Sequence, residues 1–154
     1  FAPGTKVVGL DPSANLLSLG REATVDWTRS VELIEGLAES IPLPDHEFDT
    51  VVTTWTMCSI PDVARALSEI RRVLKADVRL LFAEHGLAPS SGVVHWQNAL
   101  TPVWKRIGGG CHLNRAIDQL IVANGFGITT LKTGYMKGPK PMTFMYEGQA
   151  TPLG

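Results

Sequence analysis

The stretch from Asp49 to Ala83 changes its apolar period twice, and that change constrains the fold more than anything else in the chain. Asp49–Trp55 (DTVVTTW) is rich in β-branched residues, which suit a pleated strand. Over Pro61–Lys75 the residues Val63, Leu67, Ile70 and Leu74 fall on one helical face. Pro61 suits a first helical turn, Asp62 the positive end of the helix, and Arg71, Arg72 and Lys75 its negative end. Val78–Ala83 (VRLLFA) then reads as a buried strand that runs into Glu84 and His85.

The same alternation holds elsewhere and predicts an α/β sheet. Lys6–Leu10 (KVVGL), set between Gly4 and Asp11-Pro12, reads as a buried parallel strand. Ser13 is a candidate N-cap for a helix to Leu19, with Gly20 as its stop. Val31–Ile34 is a second short strand. The stretch 36–48 carries Pro42 and Pro44 and reads as a loop. Helices are expected within Gly92–Ile107 and over Asn114–Ala123. Ile128–Tyr135 and Met142–Glu147 are expected as an antiparallel ribbon closing a mostly parallel sheet.

Composition narrows the function classes. The 154 residues are one domain's worth, and 44% hydrophobic against 19% charged residues can bury a core. With 14 basic and 15 acidic residues there is no electrostatic footprint for nucleic acid, and no polybasic run for an anionic membrane. No apolar run approaches the roughly 18 residues that span a bilayer. The opening through Phe1, Pro3 and Gly4 has no leader pattern. Cys58 and Cys111 are too few for a disulfide framework, so reduced thiols and a cytoplasmic setting are expected.

In open α/β sheets, ligands bind outside the carboxyl ends of the strands. Those positions are Asp11; Gly36, Leu37, Ala38 and Glu39; Thr56, Met57 and Cys58; and Glu84 with His85. A carboxylate at Asp11 can accept hydrogen bonds from ribose hydroxyls, or it can open a turn as an Asp-Pro pair. Glu84 and His85 are adjacent and point to opposite faces of an extended strand, so one of them can line a pocket. His85 can act as a general base, or bond backbone at a strand end. Cys111-His112 has no second ligand pair at metal spacing, so no metal is expected. Cys58 reads as a packing residue, and Trp96, Trp104 and Phe126 read as core or substrate wall. Gly108–Gly110 reads as a turn after a helix or, alternatively, an anion cradle.

The run from Ala38 to Leu81 (AESIPLPDHEFDTVVTTWTMCSIPDVARALSEIRRVLKADVRLL) resembles the class I S-adenosylmethionine-dependent methyltransferases. Val7–Ser13 (VVGLDPS) is similar to that family's second strand and its ribose-binding acid. Glu84-His85 and Trp104–Arg115 (WKRIGGGCHLNR) resemble a narrower group that includes bacterial small-molecule methyltransferases and animal proteins that S-methylate alkyl thiols. The resemblance covers about residues 5 to 148. It implies S-adenosylmethionine as cofactor, with Asp11 and Pro12 at the ribose and Leu37, Ala38 and Glu39 bordering the adenine. Thr54, Trp55 and Thr56 would pass under the methionine moiety. His85 would face the substrate as the catalytic residue, with Met57, Trp96 and Trp104 around a small-molecule substrate. The implied fold is a Rossmann-like sheet of order 3-2-1-4-5-7-6, with strand 7 antiparallel.

The sequence departs from that pattern in three places. The glycine-rich loop and the first strand do not precede Val7; Leu37 stands where the acidic loop has its adenine-side Asp; and Ala76-Asp77-Val78 replaces a Pro-Gly-Gly turn. The chain therefore reads as a single partial methyltransferase domain over residues 1–154, missing its first strand. Such a domain is expected to form a homo-oligomer that covers open sheet edges. Two activities follow: methyl transfer to a small thiol, hydroxyl or amine, or a non-catalytic remnant that serves as an oligomeric or binding module.

Overall fold

In the computed structural model, residues 5–27 and 30–153 are described. The expectations at Phe1, Pro3 and Gly4 lie outside them. The strands sort into two sheets rather than one. The first holds β1 (Val7–Asp11) and β2 (Val31–Glu35), parallel, with Val7 opposite Val31 and Asp11 opposite Glu35. The second has the order β3-β4-β6-β5, built from β3 (Phe48–Thr54), β4 (Leu74–His85), β5 (Phe126–Tyr135) and β6 (Phe144–Pro152). β3 and β4 are parallel, whereas β6 is antiparallel to both β4 and β5. The antiparallel ribbon expected near the C-terminus is thus present, with β6 inserted between β4 and β5. Among the described residues no strand pairs with the outer edge of β1 or of β3.

The helices follow their local signals. α1 (Ala14–Ala23) is capped by Ser13, whose Oγ accepts from the Leu16 N–H. It runs past Gly20 because the Thr24 hydroxyl and N–H both bond the Gly20 carbonyl, satisfying the helix end one turn later. α2 (Val63–Val73) starts two residues later than expected. Asp62 is its N-cap, taking the Arg65 N–H at 3.0 Å, and Pro61 stands outside the helix. The remaining helices are α3 (Ser91–Ile107) and α4 (Ile117–Ala123).

β4 begins at Leu74 with no intervening loop. Phe48 pairs with Leu74 but Thr50 with Arg79, so three extra residues of β4 bulge out between them. Asp77 in that bulge takes φ +59, a left-handed conformation that Asp tolerates better than most residues. This is how Ala76-Asp77-Val78 turns without glycines.

The core lies between the second sheet and α2 and α4. Leu67, Ile70 and Val63 of α2 pack with Ile117 and Ile121 of α4, Leu80 and Phe82 of β4, and Phe126 at the start of β5. Gly148 of β6 lets the sheet close on Phe82, because a Cβ there would meet the Thr130 carbonyl and the Phe82 ring. No described helix is long and apolar enough to cross a membrane.

Candidate functional site

β3 and β4 are parallel, so their carboxyl ends lie side by side. β3 ends in a left-handed turn: Trp55 has φ +55, although its N–H still bonds the Ala83 carbonyl at 3.1 Å. A bulky residue in that region costs of order 1–3 kcal/mol and persists only where neighbours hold it. Glu84 is one holder. Its Oε2 accepts the N–H groups of Thr56 at 2.8 Å and Met57 at 3.0 Å. Glu84 is fully buried, and burial pushes its carboxyl up to about 7 against the pull of the Thr56 N–H. His85 is the other, its ring stacked on Trp55 at 5.8 Å between centroids.

The turn places Cys58 against Cys111, which arrives from the far end of α3. Gly109 and Gly110 have φ +61 and +85, and they reverse the chain so that the His112 N–H bonds the Cys58 carbonyl at 2.8 Å. The N–H groups of Gly108 and Gly110 bond Trp104 and Lys105 of α3, so this triglycine is a helix stop and not an anion cradle. Arg115 ties the same loop down by donating to the carbonyls of Met57 and Ile60.

His85, Cys58 and Cys111 converge. Cys111 Sγ lies 3.8 Å from His85 Nδ1, and His85 Nε2 is buried with no hydrogen-bond partner. The Cys58–Cys111 contact pushes the Cys58 thiol up to about 12 and draws Cys111 down to about 7. Of the two, Cys111 is the thiol that gives up its proton more readily. A cavity of about 220 Å³ opens over the three residues, with Trp55, Trp104, Leu113 and Met142 among its walls.

The expected site residues separate into four groups. His85, Trp55 and Trp104 line the cavity. Thr54 and Thr56 flank it on the exposed strand end, and the Thr56 hydroxyl donates to the Thr54 carbonyl. Two substrate expectations are corrected. Met57 is 1% exposed and packs in the core, because the Glu84 bond to its N–H turns it inward. Trp96 projects into solvent, 59% exposed, from a face of α3 that does not reach the cavity. The cofactor set lies at the other strand ends. Asp11, at the tip of β1, accepts the Ser13 N–H with Oδ1 at 2.7 Å. The turn role and a ligand role are thus compatible, since a carboxylate has a second oxygen. Pro12 is exposed beside it. Beyond β2, Leu37 is exposed, Ala38 is half-buried, and Glu39 is drawn toward α2, its Oε1 accepting the Asp62 N–H and its backbone carbonyl the Arg65 Nε–H.

These residues fit the nucleoside half of S-adenosylmethionine: a carboxylate with a free oxygen for the ribose hydroxyls, and exposed apolar Leu37 beside it for a base. The cation expectation is less simple. Three ligand atoms, one each from Cys58, His85 and Cys111, lie within 4.8 Å of one another although the sequence shows no metal spacing. Sequence reading also passed over Gln97. This buried side chain accepts the Ala88 N–H and donates to the Gly86 and Pro141 carbonyls, fastening α3 to the end of β4.

Comparison with known proteins gives a consistent neighbourhood. Residues 1–82 match the model of a family described as a methyltransferase domain. The chain is 36% identical over 122 residues to thiol S-methyltransferase TMT1B of Rattus norvegicus, covering 75% of this chain and 49% of that protein. It is 41% identical over 73 residues to the demethylmenaquinone methyltransferase of Staphylococcus carnosus, covering 47% of this chain and 30% of that protein. The chain therefore spans about half the length, or less, of these curated relatives. Among solved structures, a SAM-dependent methyltransferase from Methanosarcina mazei superposes with TM-score 0.77 at 18% identity, over 97% of this chain and 83% of that one. The [4+2]-cyclase SpnF superposes with TM-score 0.75 at 17% identity, over 97% of this chain and 67% of that one. At such identities the likeness establishes the fold, and the cyclase shows that this fold carries more than one chemistry.

Proposed function

The chain belongs to the methyltransferase domain family, within the class I S-adenosylmethionine-dependent methyltransferases, and from that premise we propose that it takes part in methyl transfer to a small apolar molecule bearing a thiol, hydroxyl or amine. The observation that carries this reading is the cavity at the carboxyl ends of β3 and β4. It has indole walls and a floor made of His85 and the two cysteines. S-adenosylmethionine, the cofactor of this family, supplies an activated methyl group when bound.

The chain's own residues do the rest. Asp11 holds ribose hydroxyls, and Leu37 and Ala38 flank the base. Glu84 fixes the turn that carries Trp55, and Trp55 and Trp104 exclude water from the acceptor. His85 takes the acceptor's proton at its unpartnered Nε2. Such catalysis is mostly positioning of the nucleophile.

The experiment is calorimetric titration of the chain with S-adenosylhomocysteine, followed by a screen of small acceptors. Micromolar binding, weakened more than tenfold in Asp11→Ala, is expected; unchanged affinity in that variant discards the ribose role. A second reading is favoured by the uncovered edges of β1 and β3: a non-catalytic module that assembles with a second copy of itself. Light scattering at several concentrations decides it, and a monomer throughout the range removes the assembly.

A further inference from the structure

We propose that Cys58, His85 and Cys111 form a binding site for one zinc-class divalent cation, whose open fourth position faces the cavity and takes a thiol as its thiolate. The thiol part rests on the methyl-transfer reading; the cation site does not.

Three observations carry it. The first is convergence from separate segments. Cys58 comes from the turn after β3, His85 from the last position of β4 and Cys111 from the glycine turn after α3. Their ligand atoms nonetheless lie within 4.8 Å of one another. A tetrahedral site with metal–sulfur bonds near 2.3 Å and metal–nitrogen bonds near 2.0 Å has ligand edges of roughly 3.4–3.8 Å. The Cys111–His85 edge, at Nδ1, already stands at 3.8 Å, and the widest pair closes by about 1.4 Å at most. Backbone bonds on either side hold the set: Gly86 N–H to the Phe144 carbonyl beside His85, and His112 N–H to the Cys58 carbonyl between the cysteines.

The second observation is the isolation of the His85 ring, which is 1% exposed: its Nδ1 meets the Cys111 sulfur and its Nε2 has no partner. An imidazole with so few polar partners keeps its Nδ1 lone pair available to a cation that draws in the sulfurs. The third is the chemistry of the donor set. Two thiolates and a neutral imidazole are a soft set that selects zinc over magnesium or calcium, and the thiolates cancel a dication's charge in a buried place. Among the described residues three protein ligands converge, and the cavity lies over all three, so the fourth position is open as in reactive zinc sites. With the cation bound His85 is a ligand and no longer the base, so a thiol entering there forms a sulfur–metal bond and releases its proton to solvent. Trp55 and Trp104 leave room for a small apolar chain behind it.

Cobalt(II) titration of the full chain, reduced and without S-adenosylhomocysteine, tests the site. One equivalent is expected to give the near-ultraviolet charge-transfer band of thiolate ligands and the strong visible bands of four-coordination. Zinc should bleach both, and ethanethiol should intensify the charge-transfer band. The bands should vanish in Cys58→Ser and Cys111→Ser, with circular dichroism as the folding control, and persist in His95→Ala. In the unaltered chain, zinc should slow iodoacetamide alkylation of both cysteines at least tenfold. Absence of the bands, their survival in Cys58→Ser, or unprotected cysteines would overturn the proposal. Loss of the bands with intact S-adenosylhomocysteine binding sinks the cation and leaves methyl transfer standing; the reverse pattern does the opposite.

Discussion

β4 and β1 are both apolar strands with a parallel neighbour, yet they sit in different surroundings. Leu80 and Phe82 of β4 are buried, whereas Val7, Val8, Gly9 and Leu10 of β1 are all half-buried. β4 has β3 on one side and β6 on the other, with α2 and α4 over it; β1 has β2 on one side and α1 against it. Among the described residues Leu17 is the one buried apolar side chain of the β1–α1–β2 unit, while the main core draws on residues from Met57 to Ala150. The apolar content of a strand records what it is suited to be covered by. What covers it in this chain is a separate matter, decided by its neighbours.

The largest expected effect tests whether that difference is energetic. Phe126 is fully buried, and Phe126→Ala should cost about 3–5 kcal/mol in urea unfolding. Val8→Ala, on the half-buried strand, should cost at most about 1 kcal/mol. Equal costs would mean that the two sheets unfold as one unit and that the exposure of β1 carries no energetic weight. Hydrogen exchange sharpens the same contrast: amides of β1 and β2 should exchange well before those of β4 and β6.

Glycine gives a second, smaller contrast. At Gly148 an added Cβ meets the Thr130 backbone, which cannot yield, so Gly148→Ala should cost about 1–3 kcal/mol. At Gly9 the nearest atom is Leu33 Cδ2, 2.7 Å away, the mobile end of a half-buried side chain. Gly9→Ala should therefore fall within about 0.5 kcal/mol of neutral. Thermal melts of both variants check this, and a large loss at Gly9 would show that β1 is packed more tightly than its exposure implies.

Much of the fold was legible because period and capping are local. The β-branched run at Asp49–Trp55, the α2 face and the Ser13 cap each carried their signal within a few residues. The two-sheet arrangement was not legible: the family resemblance implied one continuous sheet, and nothing in Lys6–Leu10 says which strand lies beside it. The bulge in β4 was missed because Leu74 continues the apolar face of α2 and Lys75 suits a helix end, so the start of the strand reads as a last helical turn. At the site, the adjacency of Glu84 and His85 foretold that one would line the cavity, and His85 does. The cysteines were read as a packing residue and an isolated pair with His112. Their convergence depends on the triglycine reversal and on the Glu84-held turn, and neither leaves a spacing pattern. Met57 was misplaced for the same reason: its direction is set by a carboxylate far along the chain.

The smallest expected effect lies at the seam between the two regions. The loop from β2 to β3 is held to α2 by Glu69, whose Oε2 accepts the Ile41 N–H at 2.9 Å and the Arg72 guanidinium at 2.8 Å. Arg72 also reaches the Leu43 and Ile41 carbonyls and Asp45. The Arg72 hydrogen bonds hold the Glu69 carboxyl below its ordinary value, with the Ile41 N–H adding to the effect. A carboxylate with a depressed folded pKa contributes stability that is present above its unfolded value, near 4.3, and is lost as pH falls through the folded value. The contribution is small because the pair is partly exposed, at most about 1 kcal/mol. Urea midpoints should therefore fall below about pH 4.3 more steeply in the parent chain than in Glu69→Gln. The Ile41 amide should lose exchange protection over the same interval. If Ile41 stays protected while the core loosens, Glu69 serves α2 alone, and the seam is held instead by the Arg72 bonds to the loop carbonyls.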